Sequence, residues 1–255
     1  MHEKMIDNLK LTLGAFQPVG LDEIRGATLM DRSDIKFTLH RSHFAEVLQA
    51  LVPYYSILKV NEHFINPYES VYFDDEKFSL YLNHHNQRSN RYKVRYRKYA
   101  ATNVSFLEIK VKNSNGRTIK ERILSSGTHH FLDEREQAFL SSNVVADFST
   151  LKSNLQVNYS RITLVNKLSQ ERVTFDLDLK LFNTKREVLY QNVVIAEVKQ
   201  DRLSYHTKIR QLLKSKQIPD TRVSKYCLGV ISLYPNLKSN LFKSMLSQFN
   251  KIQYQ

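Results

Sequence analysis

The chain has 255 residues, with 38 Lys or Arg against 25 Asp or Glu, a formal net charge of +13 at pH 7. Six glycines and five prolines exclude collagen-like and low-complexity chains, and a single cysteine, Cys227, excludes a disulfide framework or Cys-based metal site within one chain. Hydrophobic residues at 42% supply a substantial core, and so basic a balance predicts an anionic partner: nucleic acid, a phosphate-rich molecule or polymer, or an acidic membrane surface.

Residues 1–30 read as a mixed helical lead-in without the apolar core of a signal peptide. The segment 34–40 alternates as a strand, with Asp34, Lys36 and Thr38 on one face. Residues 41–52 carry apolar positions at helical spacing, with Ser42 as the expected N-cap and Pro53 as the stop. Strands are predicted at 54–60 and 70–74, and a short helix within 75–85.

RYKVRYRKY at 91–99 places Arg91, Lys93, Arg95 and Arg97 on every second position, so a strand here presents a row of cations. Neighbours in that row lie roughly 6.6 Å apart. Each adjacent pair then costs about 2.5 kcal/mol at an effective dielectric of 20, unless water or an anion lies against it. The strands 104–112 and 117–124 extend a meander, with Glu108, Lys110 and Lys112 on one face of the first and Lys120 and Arg122 on one face of the second. Residues 113–117 read as a turn. A helical stretch is predicted over 131–155, then strands at 158–166 and 171–182, the latter with Arg172, Thr174, Asp176 and Asp178 sharing a face. Strand 193–200 carries Glu197 and Lys199 on one face; 203–215 reads as an amphipathic helix, 224–232 as a short strand and 236–252 as a terminal helix. With no internal repeat or linker, residues 1–255 are expected to form a single domain, and the absence of 18 consecutive apolar residues predicts no transmembrane helix and a cytoplasmic location.

Two architectures fit this alternation. Apolar faces can meet as a core with the charged faces in water, or strands can form an antiparallel barrel with a polar interior and helices packed outside. The several helices need an apolar surface, the cationic rows are rich in Arg, the bidentate reader of phosphate, and carboxylates share those rows, as a metal holding a polyanion requires. These features favour the second, an α+β barrel with a basic lumen.

Taken together, RSDIKF (32–37), SVYFD (70–74), RYKVRYRKY (91–99), FLEIKVK (106–112), IKERI (119–123), YSRITL (159–164), ERVTFDLDL (171–179), IAEVKQ (195–200) and SKY (224–226) resemble, in order, the VTC domain of polyphosphate polymerases, a branch of the triphosphate tunnel metalloenzymes of the CYTH-like superfamily. The resemblance implies an antiparallel tunnel that transfers the terminal phosphate of ATP to a growing polyphosphate chain with Mn2+ or Mg2+. It implies phosphate contacts from Lys36, Arg95, Arg97, Lys110, Lys120, Arg161, Arg172, Arg222 and Lys225, and a metal held by Glu197. Lys36, Arg95, Arg97, Lys110, Arg161 and Arg172 form the expected catalytic set. Lys93, Lys120, Arg122, Lys199, Arg222 and Lys225 form the wider phosphate-binding set, and Glu108, Asp176 and Asp178 are further candidate metal ligands.

Arg32 stands where the wider superfamily often begins a Glu-x-Glu-x-Lys strand, a departure that agrees with the polymerase branch rather than a two-metal hydrolase. A tripolyphosphate or nucleotide phosphohydrolase and a non-catalytic polyphosphate-binding protein remain alternatives on the same fold. The membrane regions of eukaryotic polymerases are not in this sequence, so translocation implies a separate membrane partner. Nucleic acid is not expected: no recognised motif is present, and the aromatics of 91–99 lie opposite its cations. His84, His85, His129 and His130 lie near turns, where surface histidines are the ordinary case, and Cys227 reads as a buried small residue.

Overall fold

The computed structural model describes residues 9–25, 32–113, 118–126, 131–143, 148–201 and 207–255. The turn expected at 113–117 lies mostly outside these, as do His129 and His130. Twelve strands form one sheet: β1 (Gln17–Val19), β2 (Arg32–His40), β3 (Tyr55–Leu58), β4 (Asn66–Asp74), β5 (Arg91–Tyr99), β6 (Val104–Lys112), β7 (Thr118–Leu124), β8 (Lys152–Asn166), β9 (Arg172–Phe182), β10 (Glu187–Tyr190), β11 (Val193–Asp201) and β12 (Asp220–Thr221). The main path runs β12-β2-β11-β9-β8-β4-β5-β6-β7, with antiparallel pairing at each step. Among the described residues only β1 pairs in parallel, with β3.

Hydrogen bonding does not join β12 to β7 among the described residues, so the expectation of a closed barrel is corrected to an open, strongly curled sheet. The curl brings the two ends of the path together. Lys110 on β6 lies within electrostatic reach of Lys36 on β2 and Glu197 on β11.

Alternation divides each strand between two environments. Outward residues of β2, β8, β9 and β11, among them Phe37, Ile162, Phe175 and Val198, form one core beneath α1 (Arg41–Leu51) and a later helix, Lys208–Ser215. Outward residues of β4, β5 and β6, including Phe73, Val94, Tyr96 and Leu107, pack with Leu132, Leu140 and Phe148. Leu140 belongs to the helix Glu134–Asn143. Helices therefore cover the convex side, as apolar outward faces demand. Within the order of the chain, α2 is Ser79–His85, α3 is Glu134–Asn143, α4 is Lys208–Ser215, α5 is Lys225–Leu233 and α6 is Lys243–Gln253.

Several local expectations need correction. Residues 224–232 are not a strand but α5, whose N-cap Ser224 accepts the amide of Cys227 at 3.2 Å. A helix apolar on nearly every side shows no amphipathic stripe, and over nine residues its run of apolar side chains reads equally well as a strand. Of the helical stretch expected over 131–155, Glu134–Asn143 is helix, whereas β8 already begins at Lys152. The N-cap of α1 is His40 rather than Ser42, with the Ser42 amide donating to His40 Nδ1 at 3.2 Å.

α5 lies inside the curl. It packs against Leu155 and Val157 of β8, Leu179 and Leu181 of β9, and Val193 and Ile195 of β11. One part of the concave face is thus apolar and filled by this helix, which leaves the charged part as the lumen.

Candidate functional site

The cationic row of β5 lines that lumen. Register sets Arg97 beside Ser70 and Phe106, Arg95 beside Tyr72 and Glu108, and Lys93 beside Lys110. β7 continues the wall, with Lys120 opposite Lys110 and Arg122 opposite Glu108. On the facing wall Arg161 of β8 is in register with Asp176 of β9, and Glu197 of β11 sits between Lys36 and Thr174.

Two buried carboxylates organise the cations. Glu108 accepts Arg95 Nε at 2.9 Å and Nη2 at 2.7 Å on one oxygen and Lys120 Nζ at 2.6 Å on the other, and Arg97 Nη1 lies 4.0 Å away. Asp176 takes Arg161 as a fork, Nε at 2.6 Å and Nη2 at 2.8 Å, and adds Lys225 Nζ at 2.5 Å. Each carboxylate is 1% exposed. Burial alone would raise their pKa values; Arg95, Arg97 and Lys120 pull Glu108 down to about 2, and Arg161 and Lys225 pull Asp176 below its usual range. Their oxygens are engaged by cations, so the two carboxylates orient Arg95, Lys120, Arg161 and Lys225.

Asp178 leaves the site altogether. The β8–β9 register shifts at Asn158/Ser160, where β9 carries an extra residue, and Asp178 there has a positive φ of 53° and a carboxylate that pairs with Arg41 Nη1 at 2.5 Å. A bulge of this kind interrupts the two-residue period on which its expected place beside Asp176 rested.

Glu197 is different. Its side chain retains 17% exposure, and Lys199 Nζ lies 3.0 Å from Oε1 and 3.7 Å from Asp34. Burial opposes its ionisation, but Lys199, Lys36 and Arg161 hold its pKa far below the ordinary range. Among the described residues no three His, Cys, Asp or Glu side chains converge as a metal cage. Mg2+ and similar hard ions need no such cage: one or two carboxylates plus substrate phosphate oxygens suffice. Glu197, ionised and reached by the lumen, fits that single-carboxylate role.

Around it the ammonium groups crowd. Burial, then Lys36 and Lys93, lower the Lys110 pKa to about 8. Burial also lowers Lys36, partly offset by Glu197. The segment entering α5 spans the lumen between the walls: Lys36 Nζ donates to the Val223 carbonyl at 3.0 Å and Lys93 Nζ to Ser224 Oγ at 2.9 Å.

The structure therefore brings together Lys36, Lys93, Arg95, Arg97, Lys110, Lys120, Arg161, Lys199, Lys225 and Glu197. Arg172 is in register with Lys199 and donates to the Ile24 carbonyl at 3.0 Å. Arg122 is exposed and stacks over Phe106, 4.4 Å from its centroid, while Arg222 is exposed. His85 is buried in α2 rather than on the surface, and its Nε2 accepts the Leu241 amide at 3.2 Å. His84 Nε2 lies 3.0 Å from the Tyr92 carbonyl oxygen. The aromatics also depart from expectation. Tyr68, Tyr72, Tyr159 and Phe106 share the cationic face, with Arg161 5.0 Å from the Tyr68 ring centre and Lys225 4.6 Å from that of Tyr159. Their parity with Ser70 and Arg161 is readable in the sequence, whereas Tyr92 and Tyr96 of β5 take the opposite face.

A family model described as the VTC domain matches residues 31–234. The chain belongs to the VTC domain family. No curated protein matches its sequence. Among solved structures, this VTC domain is similar to a putative adenylate cyclase from Bacillus halodurans, at 14% identity and TM-score 0.48 over 76% of this chain and 96% of that one. A putative adenylate cyclase from Vibrio parahaemolyticus gives 10% identity and TM-score 0.47 over 76% and 96%. A putative adenylyl cyclase from Hippeastrum, described as having a dominant triphosphatase activity, gives 13% and 0.45 over 79% and 97%. No helix among the described residues is long and apolar enough to cross a membrane.

Proposed function

We propose that this VTC domain is a metal-dependent polyphosphate polymerase that moves the terminal phosphate of ATP onto an inorganic polyphosphate chain lying in the basic lumen. The observation that carries the reading is the inward row Lys93, Arg95 and Arg97 facing Lys36, Arg161 and Lys225, with the intervening carboxylates fixed on cations. Phosphoryl transfer asks chiefly for positioning and for neutralisation of charge on in-line oxygens. Arg95 and Arg161, each held on a buried carboxylate, present remaining N–H groups in set directions. Lys36, Lys93 and Lys110 supply mobile point charges along the chain. The acceptor is a terminal phosphate oxygen that is largely ionised near neutral pH, so no general base is required.

Glu197 would hold Mn2+ or Mg2+, which supplies charge neutralisation between phosphate groups when bound. Arg32, in place of an acidic residue at the start of β2, favours the polymerase over a two-metal hydrolase. Incubation with ATP and manganese, read as polyphosphate on a gel, tests the assignment. Long-chain product is expected. Release of orthophosphate alone would make the domain a phosphohydrolase, and binding without turnover would make it a polyphosphate receptor. Cytoplasmic location and a separate membrane partner belong to the same proposal.

A further inference from the structure

Tyr72 is the neutral donor best placed among the lumen cations. It is 4% exposed and lies on the inward face of β4, in register with Arg95. Its ring stacks on Tyr226 of α5, 5.1 Å between centres at 24°, and the Tyr226 hydroxyl is tied to the buried Asp74 carboxylate. Asp74 in turn accepts the Leu80 and Tyr81 amides, each at 2.9 Å. The ring of Tyr72 is thus fixed from behind through α5 and α2. At its front, the phenolic oxygen accepts Arg95 Nη1 at 2.8 Å.

A phenol has one proton to give as well as lone pairs to receive. The Arg95 bond uses a lone pair. Among the described residues, the charged groups that act most strongly on the oxygen are Arg95, Arg97 and Lys93 of β5, which are donors, and Glu108 of β6 is engaged by Arg95 and Lys120. The proton is therefore directed toward whatever acceptor occupies the lumen beside Arg95. We infer that Tyr72 is a further binding residue of the lumen, donating its hydroxyl to a non-bridging oxygen of the same phosphate group that Arg95 contacts. This deepens the polyphosphate reading and rests on it. A guanidinium and a phenol meeting one phosphate would bind a linked chain in a set orientation, where ammonium groups alone act as point charges.

The cations leave a spectroscopic mark. Although burial opposes it, Arg95 and Arg97 lower the phenol pKa to about 8, whereas burial raises Tyr55, Tyr68, Tyr81, Tyr96 and Tyr226. Tyrosinate absorbance near 295 nm should then appear in the wild-type protein around pH 8 to 9. Tripolyphosphate should suppress it, because an anion taking the phenol proton as a hydrogen bond disfavours ionisation.

The test combines this titration with calorimetry of tripolyphosphate binding to the wild type and to Tyr72→Phe at pH 7. The variant keeps the ring stack, so its thermal unfolding should match the wild type. The expected result is binding weakened about tenfold or more, the size of a hydrogen bond to a charged group, together with loss of the low-pH tyrosinate signal. Equal affinities in the two proteins, or a wild-type signal indifferent to saturating tripolyphosphate, overturn the role of Tyr72 and leave the wider reading standing. A wild-type protein that does not bind tripolyphosphate overturns both.

Discussion

At the residue scale, Asp176 and Glu197 sit in one lumen with different neighbourhoods, and their variants should separate accordingly. Asp176→Asn removes the charge between Arg161 and Lys225 at a site 1% exposed. Breaking a buried ion pair leaves uncompensated charge and costs about 3–5 kcal/mol, so the denaturation midpoint should fall at constant slope. Glu197→Gln touches a group that still meets solvent. Its fold should hold while the manganese needed for half-maximal activity rises steeply or activity vanishes with tripolyphosphate binding retained. An unchanged manganese titration would remove Glu197 from the metal site. Lys110 gives the third residue-scale test. Its folded pKa of about 8 lies below the ordinary value of 10.5. Between those two pH values the unfolded chain binds more protons, so this group makes stability rise with pH there and adds a constant penalty below. A bound polyanion restores the ammonium. Calorimetry at pH 9 in buffers of different ionisation enthalpy should show proton uptake on tripolyphosphate binding, smaller in Lys110→Met; buffer-independent heats would show that Lys110 does not meet the ligand.

At the element scale, α5 is where pattern reading failed and where packing is tightest. A Cβ added at Gly229 would come within 2.5 and 2.7 Å of the Leu155 methyl carbons. Leu155 is 1% exposed and belongs to the core that α5 shares with β8 and β9. Helix propensity favours Ala over Gly by about 1 kcal/mol, whereas overpacking a filled core costs typically 1–3 kcal/mol. Gly229→Ala should therefore lower stability, with part of the loss recovered when Leu155→Ala is added. A stabilised single variant would mean that α5 does not sit against β8 as described. The contrast with β5 explains what the sequence could reveal. The strand Arg91–Tyr99 matches its expected bounds because Arg91, Lys93, Arg95 and Arg97 fall on every second position. α5 has no polar face to mark its period, since seven of its residues are buried. Likewise Lys36, Arg161 and Glu197 were legible from alternation and motif together, while the displacement of Asp178 depends on a bulge that period counting cannot register. Tyr72 has the right parity too, but a tyrosine at that position reads as packing until a donor is seen on its oxygen.

At the scale of the whole molecule, the curled sheet holds like charges together, with no hydrogen bonds joining its edge strands among the described residues. Lys36, Lys93 and Lys110 approach from β2, β5 and β6, and each lowers the pKa of another lysine in the group or has its own lowered. The segment 223–224 meets the two walls through a carbonyl and a hydroxyl that accept hydrogen bonds from lysines. A linear polyanion would bridge the same ammonium groups and relieve their repulsion at once, whereas a single phosphate reaches one part of the lumen. Ligand at a hundred times its dissociation constant stabilises a folded state by about 2.7 kcal/mol. For a domain of this size that is a rise of roughly 5–10 °C in Tm. Tripolyphosphate should produce such a shift in a thermal scan, diminishing as salt is raised, and orthophosphate at equal total phosphate should give less than a third of it. Equal shifts for the two anions would mean that the lumen reads negative charge alone, and the case for a site that follows a linked phosphate chain across both walls would fall with that result.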